Sequence, residues 1–226
     1  DLMMCFSAQI SFISAGVLFL TGVVCIKKAQ KAKHHVLLAI TPFIFAIQQF
    51  LEGFVWVTFN REEMALTNFF SSAYLFFAFF FWIVWFPIVA YNLESVQWKK
   101  KLFRYLVFVG FVFGLYLWLP VLFGHGPRNL IDTTICGKSL CYNIASGGYL
   151  PMVAREFVYV LLGLLYLLCS DPLFRKFWVA VMLSAAITLL IHAFAWTSVW
   201  CFLSAIASLY IIYLITAKPK KIPQLQ

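Results

Sequence analysis

Gln48, Glu52 and Trp56 recur at i, i+4 and i+8, so a helix through them carries all three on one face, with Gln49 beside it. The surrounding segment is apolar, and an ionisable side chain there costs several kcal/mol unless it is paired, hydrated or neutral. The stripe must therefore face other helices. A carboxyl group one turn after two carboxamides can fix the polar end of a ligand, act as a general base or carry a proton. Residues with related chemistry sit near the same ends of other apolar segments. Cys5, Ser7 and Gln9 open the first, Arg155 and Glu156 the fifth, His192 lies about a turn from the end of the sixth, and Trp200 and Cys201 begin the seventh. Arg155 suits bidentate binding of a carboxylate or an anionic headgroup. His192 suits a ligand or proton-shuttle role. Cys5, Glu52, His192 and Cys201 together have the donor chemistry of a zinc or copper site, at a spacing that matches no metal motif.

The elements that position these groups follow from composition. Of 226 residues, 64% are hydrophobic, 19% aromatic and only 11% charged, and the mean hydropathy is +0.93. These values exclude a soluble globular fold, a disordered chain and a disulfide-stapled secreted domain. At ~20 residues per bilayer-spanning helix there is room for about seven spans. Charge-free intervals place them at 6–26, 36–59, 68–91, 105–123, 151–169, 177–196 and 199–217. Only 14 uncharged residues separate Glu156 from Asp171, so the fifth span includes Arg155 and Glu156 in its first turns. The 41 residues between Lys176 and Lys218 lack Asp, Glu, Lys and Arg, enough for two spans joined by a tight turn near Ala195-Trp196-Thr197-Ser198. Pro42, Pro87 and Pro120 predict kinks in spans two, three and four. Ser7, Ser11 and Ser14, and likewise Ser204 and Ser208, suit close helix packing.

The net charge of +9 marks orientation, not nucleic-acid binding. Runs at 27–33, 99–104, 175–176 and 218–221 hold 13 of the 17 basic residues. The positive-inside rule makes that side cytoplasmic, with the N-terminus outside and the C-terminus inside. Trp56, Trp118, Trp196 and Trp200 then fall at outer ends and Trp98 and Trp178 at inner ends, as an interfacial belt would. The expected fold is an all-α integral membrane protein, a seven-transmembrane helix bundle forming a single domain over 1–226, with 124–150 as an extracytoplasmic loop. In an oxidising exterior, Cys136 and Cys141 could close a disulfide that orders this loop as a lid.

Three segments carry a family resemblance: Met4-Cys5-Phe6-Ser7-Ala8, Gln48-Gln49-Phe50-Leu51-Glu52-Gly53-Phe54-Val55-Trp56 and Ser198-Val199-Trp200-Cys201-Phe202. Together they resemble an uncharacterised family of bacterial multi-pass membrane proteins that open with Met-Cys-Phe-Ser-Ala, a domain of unknown function. The resemblance implies an inner-membrane protein and no particular reaction. It places Cys5, Ser7, Gln49, Glu52, Trp200 and Cys201 in the layer that charge counting reaches. The alkaline ceramidase and adiponectin-receptor type of seven-span hydrolase is similar in span number only. Its three-histidine zinc site has no counterpart here, because His192 is the single intramembrane histidine.

Taken together, these readings predict a polar outer-leaflet cavity that binds or transports a small amphipathic or lipid-like ligand. Cys5, Ser7, Gln48, Gln49, Glu52, Arg155, Glu156, His192, Trp200 and Cys201 are its candidate lining. The alternative is a membrane-embedded lipid hydrolase or metal- or thiol-dependent enzyme, with Glu52 or His192 as base and Cys5 or Cys201 as nucleophile or metal ligand. No cofactor is expected under the first reading; a transition metal such as zinc belongs to the second. The expected partners are membrane lipids and the ligand, with homo-oligomerisation open and nucleic acid excluded.

Overall fold

A computed structural model describes residues 7–32, 35–123, 131–144, 152–192 and 195–216. Among these residues, helices α1 (Ala8–Ala32), α2 (Val36–Asn60), α3 (Met64–Phe76), α4 (Trp82–Leu93) and α5 (Gln97–Phe123) precede a two-stranded hairpin. Its strands are β1 (Ile131–Cys136) and β2 (Ser139–Ile144). Helices α6 (Met152–Tyr166), α7 (Pro172–His192), α8 (Trp196–Ser208) and α9 (Tyr210–Thr216) follow. A π-helical turn, Phe77–Phe81, joins α3 to α4, so Met64–Leu93 runs on as one 30-residue rod. Helices α8 and α9 likewise make one 21-residue unit. The described residues thus form seven helical units, six of them long and apolar enough to cross a membrane. The exception is α6, whose 15 residues rise about 22 Å, short of a bilayer's hydrocarbon thickness. Leu20, Phe108 and Leu190 are among many large apolar side chains exposed along α1, α5 and α7. Surfaces of this kind suit lipid and not water.

Close packing uses glycine at several helix crossings, and Ser11, Ser204 and Ser208 of the serine stripes are buried as well. A Cβ on Gly22 of α1 would lie 2.7 Å from the backbone nitrogen of Phe43 in α2. On Gly110 of α5 it would collide with the carbonyl oxygen of Ile83 in α4, and on Gly114 it would lie 2.9 Å from the Phe80 ring. Gly110 and Gly114 are four apart, the small-residue spacing that brings membrane helices together. The Ile83 carbonyl has a second partner. Pro87 lacks the N–H that would bond to it from one turn on, and the Tyr166 hydroxyl of α6 donates instead at 3.2 Å. The helices containing Pro42, Pro87 and Pro120 continue through them.

At the end of the bundle that carries Lys31, Lys99–Lys101 and Arg175, a carboxylate network ties three connections together. Glu94 Oε1 accepts from the backbone of Ser95 at 2.9 Å and Val96 at 2.8 Å, and its Oε2 accepts from Ser170 N at 2.8 Å. Lys99 Nζ donates to Ser170 Oγ at 2.9 Å. Asp171 caps α7 by accepting from Phe174 N at 2.8 Å, with Pro172 at the first helical position. Its other oxygen pairs with His35 Nε2 at 2.8 Å, at the start of α2. Burial opposes ionisation of Asp171, but the His35 bond and the backbone donors outweigh it and hold the carboxyl below its usual range. Glu94 shows the same balance, with backbone N–H bonds overcoming desolvation.

Several indole rings differ from the belt expected of them. Trp56, Trp178, Trp196 and Trp200 are buried within the protein, whereas Trp98 is exposed. Trp178 Nε1 donates to the Gly163 carbonyl at 2.6 Å and Trp200 Nε1 to that of Val181 at 3.3 Å. Bonds of this kind satisfy the Trp178 and Trp200 indole N–H groups inside the bundle, whereas Trp56 Nε1 has no partner among the described residues.

Candidate functional site

The hairpin lies at the end of the bundle opposite Glu94 and Asp171. Its two-residue turn, Gly137-Lys138, has Gly137 at φ 65°, a conformation that favours glycine. Cys136 and Cys141 are joined by a disulfide. Strand β1 packs on α3 and β2 on α8. The Ser71 and Thr133 hydroxyls meet at 3.0 Å, and the Tyr142 ring stacks on Tyr74 with centroids 5.1 Å apart. Ile131, Leu140 and Cys141 share an apolar cluster with Val55, Leu75 and Val199 beneath them.

Under this cover sits Glu52, 1% exposed. The Ser198 hydroxyl of α8 donates to its Oε1 at 2.5 Å and Gln49 Nε2 donates to its Oε2 at 3.3 Å. The Tyr74 hydroxyl reaches the Thr197 carbonyl at 3.4 Å and also lies against Glu52 and the Cys201 thiol. Gln48 is buried on the same face. Its Oε1 accepts from Trp82 Nε1 at 2.7 Å, and its side chain meets Cys201. Four polar atoms here are buried without a hydrogen-bond partner among the described residues: Gln48 Nε2, Gln49 Oε1, Trp56 Nε1 and the Tyr142 hydroxyl. Such groups cost ~1–3 kcal/mol each, so a cluster of them marks either strain or a place where another molecule bonds.

Cys201 also belongs to the wall of an internal cavity of about 30 Å³, set deeper in the bundle. Its lining is aromatic: Trp82, Tyr159, Tyr166, Trp178 and Trp200 contribute, and Ser204 adds a hydroxyl. Ser204 meets Ser184 of α7 at 3.3 Å. The cavity exceeds the ~10–15 Å³ that one water needs on the same measure.

The structure brings Gln48, Gln49, Glu52 and Cys201 together, with Trp200 on the adjoining cavity. Ser7 caps α1, its hydroxyl 3.4 Å from the Ile10 nitrogen. Glu156 is half-buried near the start of α6. Cys5 lies outside the described residues. Arg155 and His192 lie in α6 and α7, but their side chains are outside what the structure describes. Among the described residues no three of His, Cys, Asp and Glu converge as metal ligands. Glu52, Gln48 and Gln49 are enclosed in the structure: Tyr142 of the hairpin lies near Glu52, and Gln48 packs against Trp82 and Cys201. Ser198, Tyr74 and Tyr142 were not among the sequence candidates. Ser198 stands three residues before Cys201 on one helix, a spacing that could have indicated it; the two tyrosines are indistinguishable by sequence from the other aromatics.

Fold and site together define a multi-pass integral membrane protein with a closed polar layer near one end of its bundle. The chain belongs to the Family of unknown function (DUF6629), which matches it over residues 4–225. Searches of curated proteins and of solved structures find no match.

Proposed function

We propose that this protein binds, and either carries or senses, a small amphipathic ligand at the Glu52 layer. The single observation that carries the reading is the convergence of a fully buried carboxyl group with four unpartnered polar atoms drawn from α2 and the hairpin. A purely structural network would pair its members, since half-satisfied buried networks are costly. Glu52, Gln48 and Gln49 hold the ligand's polar end, and its apolar part enters the aromatic cavity beyond Cys201. The positive-inside rule puts the basic end in the cytoplasm of a bacterial inner membrane and the hairpin outside. Access to the layer then runs from the outer face, past a cover stapled by Cys136 and Cys141.

A second reading, a membrane-embedded enzyme, draws on one contact. The Ser198 hydroxyl donates to Glu52 at 2.5 Å, an arrangement in which a carboxylate can take a proton from a nucleophilic hydroxyl. Cys5, His192 and a transition metal remain part of that alternative.

Native mass spectrometry of gently solubilised protein, with elemental analysis in parallel, tests the proposal. A retained organic molecule without stoichiometric metal supports the binding site. Stoichiometric zinc or copper moves the assignment to the enzyme reading. A bare protein mass from freshly prepared membranes overturns the proposal.

A further inference from the structure

We infer that the surface where α4 and α5 meet, at the Glu94 end of the bundle, binds the phosphate of an anionic phospholipid headgroup between Lys100 and Arg104, beside the Tyr91 ring. This site is separate from the Glu52 layer and uses none of its residues.

Lys100 and Arg104 stand four residues apart on α5, so their side chains share one face of the helix. Both close on Tyr91 of α4. The Lys100 ammonium lies 5.1 Å and the Arg104 guanidinium 5.5 Å from the centre of its ring, and Arg104 Nη2 donates to the Tyr91 hydroxyl at 3.2 Å. A neutral ring attracts each cation but leaves the charge of the pair uncompensated. Among the described residues, neither Lys100, Lys101 nor Arg104 has an ion-pair partner. Glu94 and Asp171, the acids of this end, are committed elsewhere: Glu94 to the Ser95, Val96 and Ser170 nitrogens, Asp171 to His35 and Phe174 N. An anion between Lys100 and Arg104 would relieve their repulsion. Among the described residues Arg104 makes the one side-chain bond to Tyr91, which leaves the other donors of its planar fork for two oxygens of a phosphate.

The neighbouring surface determines which phosphate fits. Beside the pair, Trp98, Lys101, Tyr105, Phe108 and Val112 are exposed, at alternating three- and four-residue steps that place them along one stripe of α5. Basic and amphipathic aromatic groups occupy the first turns of the stripe and purely apolar side chains follow. That order matches a headgroup level with acyl chains below it. A dissolved phosphate would use the charges and leave the apolar stripe uncovered, whereas a phospholipid uses both. A zwitterionic headgroup brings a cation of its own to a patch that is already positive, so a net negative headgroup is favoured.

The test is native mass spectrometry of the full chain in detergent, titrated with phosphatidylglycerol and with phosphatidylcholine of the same acyl chains, at low and high salt. Wild type should bind its first phosphatidylglycerol about tenfold more tightly than phosphatidylcholine, and the margin should shrink in high salt. Lys100→Gln combined with Arg104→Gln should reduce the margin to about twofold or less. Arg104→Lys, which keeps the charge and loses the fork, should fall between the two, and it stands in if the double variant does not fold. Lys27→Gln combined with Lys28→Gln, which removes the same charge from α1, should leave the margin unchanged. Matched thermal melts establish that each variant is folded. Equal binding of the two lipids, an unchanged margin in the Lys100 and Arg104 variants, or an equal loss in the α1 variant overturns the assignment. Displacement of phosphatidylglycerol by an equal concentration of inorganic phosphate also overturns it, because the site would then belong to the free ion.

Discussion

Removing the Ser198 hydroxyl tests whether the Glu52 layer is held as described. Ser198→Ala deletes the 2.5 Å bond from α8 to Glu52 Oε1 and leaves the carboxyl group with Gln49 at 3.3 Å and the neighbouring Tyr74 hydroxyl. Interhelical hydrogen bonds in membrane proteins average ~0.6 and reach ~1.7 kcal/mol in double-mutant cycles. Bonds to charged groups in water-soluble proteins contribute ~1.5–3 kcal/mol. A short bond to a carboxyl group 1% exposed belongs at the upper end of the membrane range, so the coupling should be about 1.5 kcal/mol. The assay is a double-mutant cycle of Ser198→Ala with Glu52→Leu, followed by reversible unfolding in mixed detergent. Orphaning of Gln49 and Tyr74 by the leucine occurs in both backgrounds and cancels. In the Glu52→Leu background, Ser198→Ala should cost little. A coupling energy under about 0.3 kcal/mol, inside the scatter of independent sites, refutes the pairing.

Other parts of the structure give sharper local expectations. Gly110→Leu should abolish stable folding, and Gly110→Ala should lower the melting temperature by several degrees, because even a methyl group meets the Ile83 carbonyl. Tyr166→Phe should cost about 1–2 kcal/mol by stripping the donor from a carbonyl that Pro87 leaves unpaired, and Pro87→Ala should rescue part of the loss in the same unfolding assay. Asp171 has a depressed folded-state pKa, so its stabilisation is complete above the unfolded value of ~3.9 and is lost as pH falls through the folded one. Asp171→Asn should therefore flatten stability against pH in that acid limb, with little change in shape at neutral pH.

The helices were legible because charge placement in a membrane chain is expensive: intervals bounded by Lys, Arg, Asp and Glu locate the spans to within a few residues. Helix ends were less so. The structure runs α1 to Ala32 and starts α5 at Gln97, since lysines on long stems can ride on helix ends. The hairpin left only a faint mark, Gly137-Lys138 between Cys136 and Ser139, because its strands are only six residues each and mix polar with apolar side chains. Glu52 was conspicuous as an isolated carboxyl group in apolar sequence, and Gln48 and Gln49 followed from helical spacing. Its partner Ser198 was read as part of a turn, yet it sits in the first turn of α8, where it reaches Glu52. Asp171 enters the sequence reading only as the bound of an uncharged interval and Glu94 not at all; that they tie three connections together depends on tertiary placement of backbone N–H groups.

The most direct test of the central claim is native mass spectrometry of wild type and Glu52→Leu prepared side by side, with matched thermal melts to establish that both are folded. A small molecule should be bound to wild type and missing from a Glu52→Leu chain that the melts show to be folded, because the leucine cannot bond the ligand's polar end. The same bound mass at the same occupancy in both would contradict it and leave Glu52 as a structural carboxyl group.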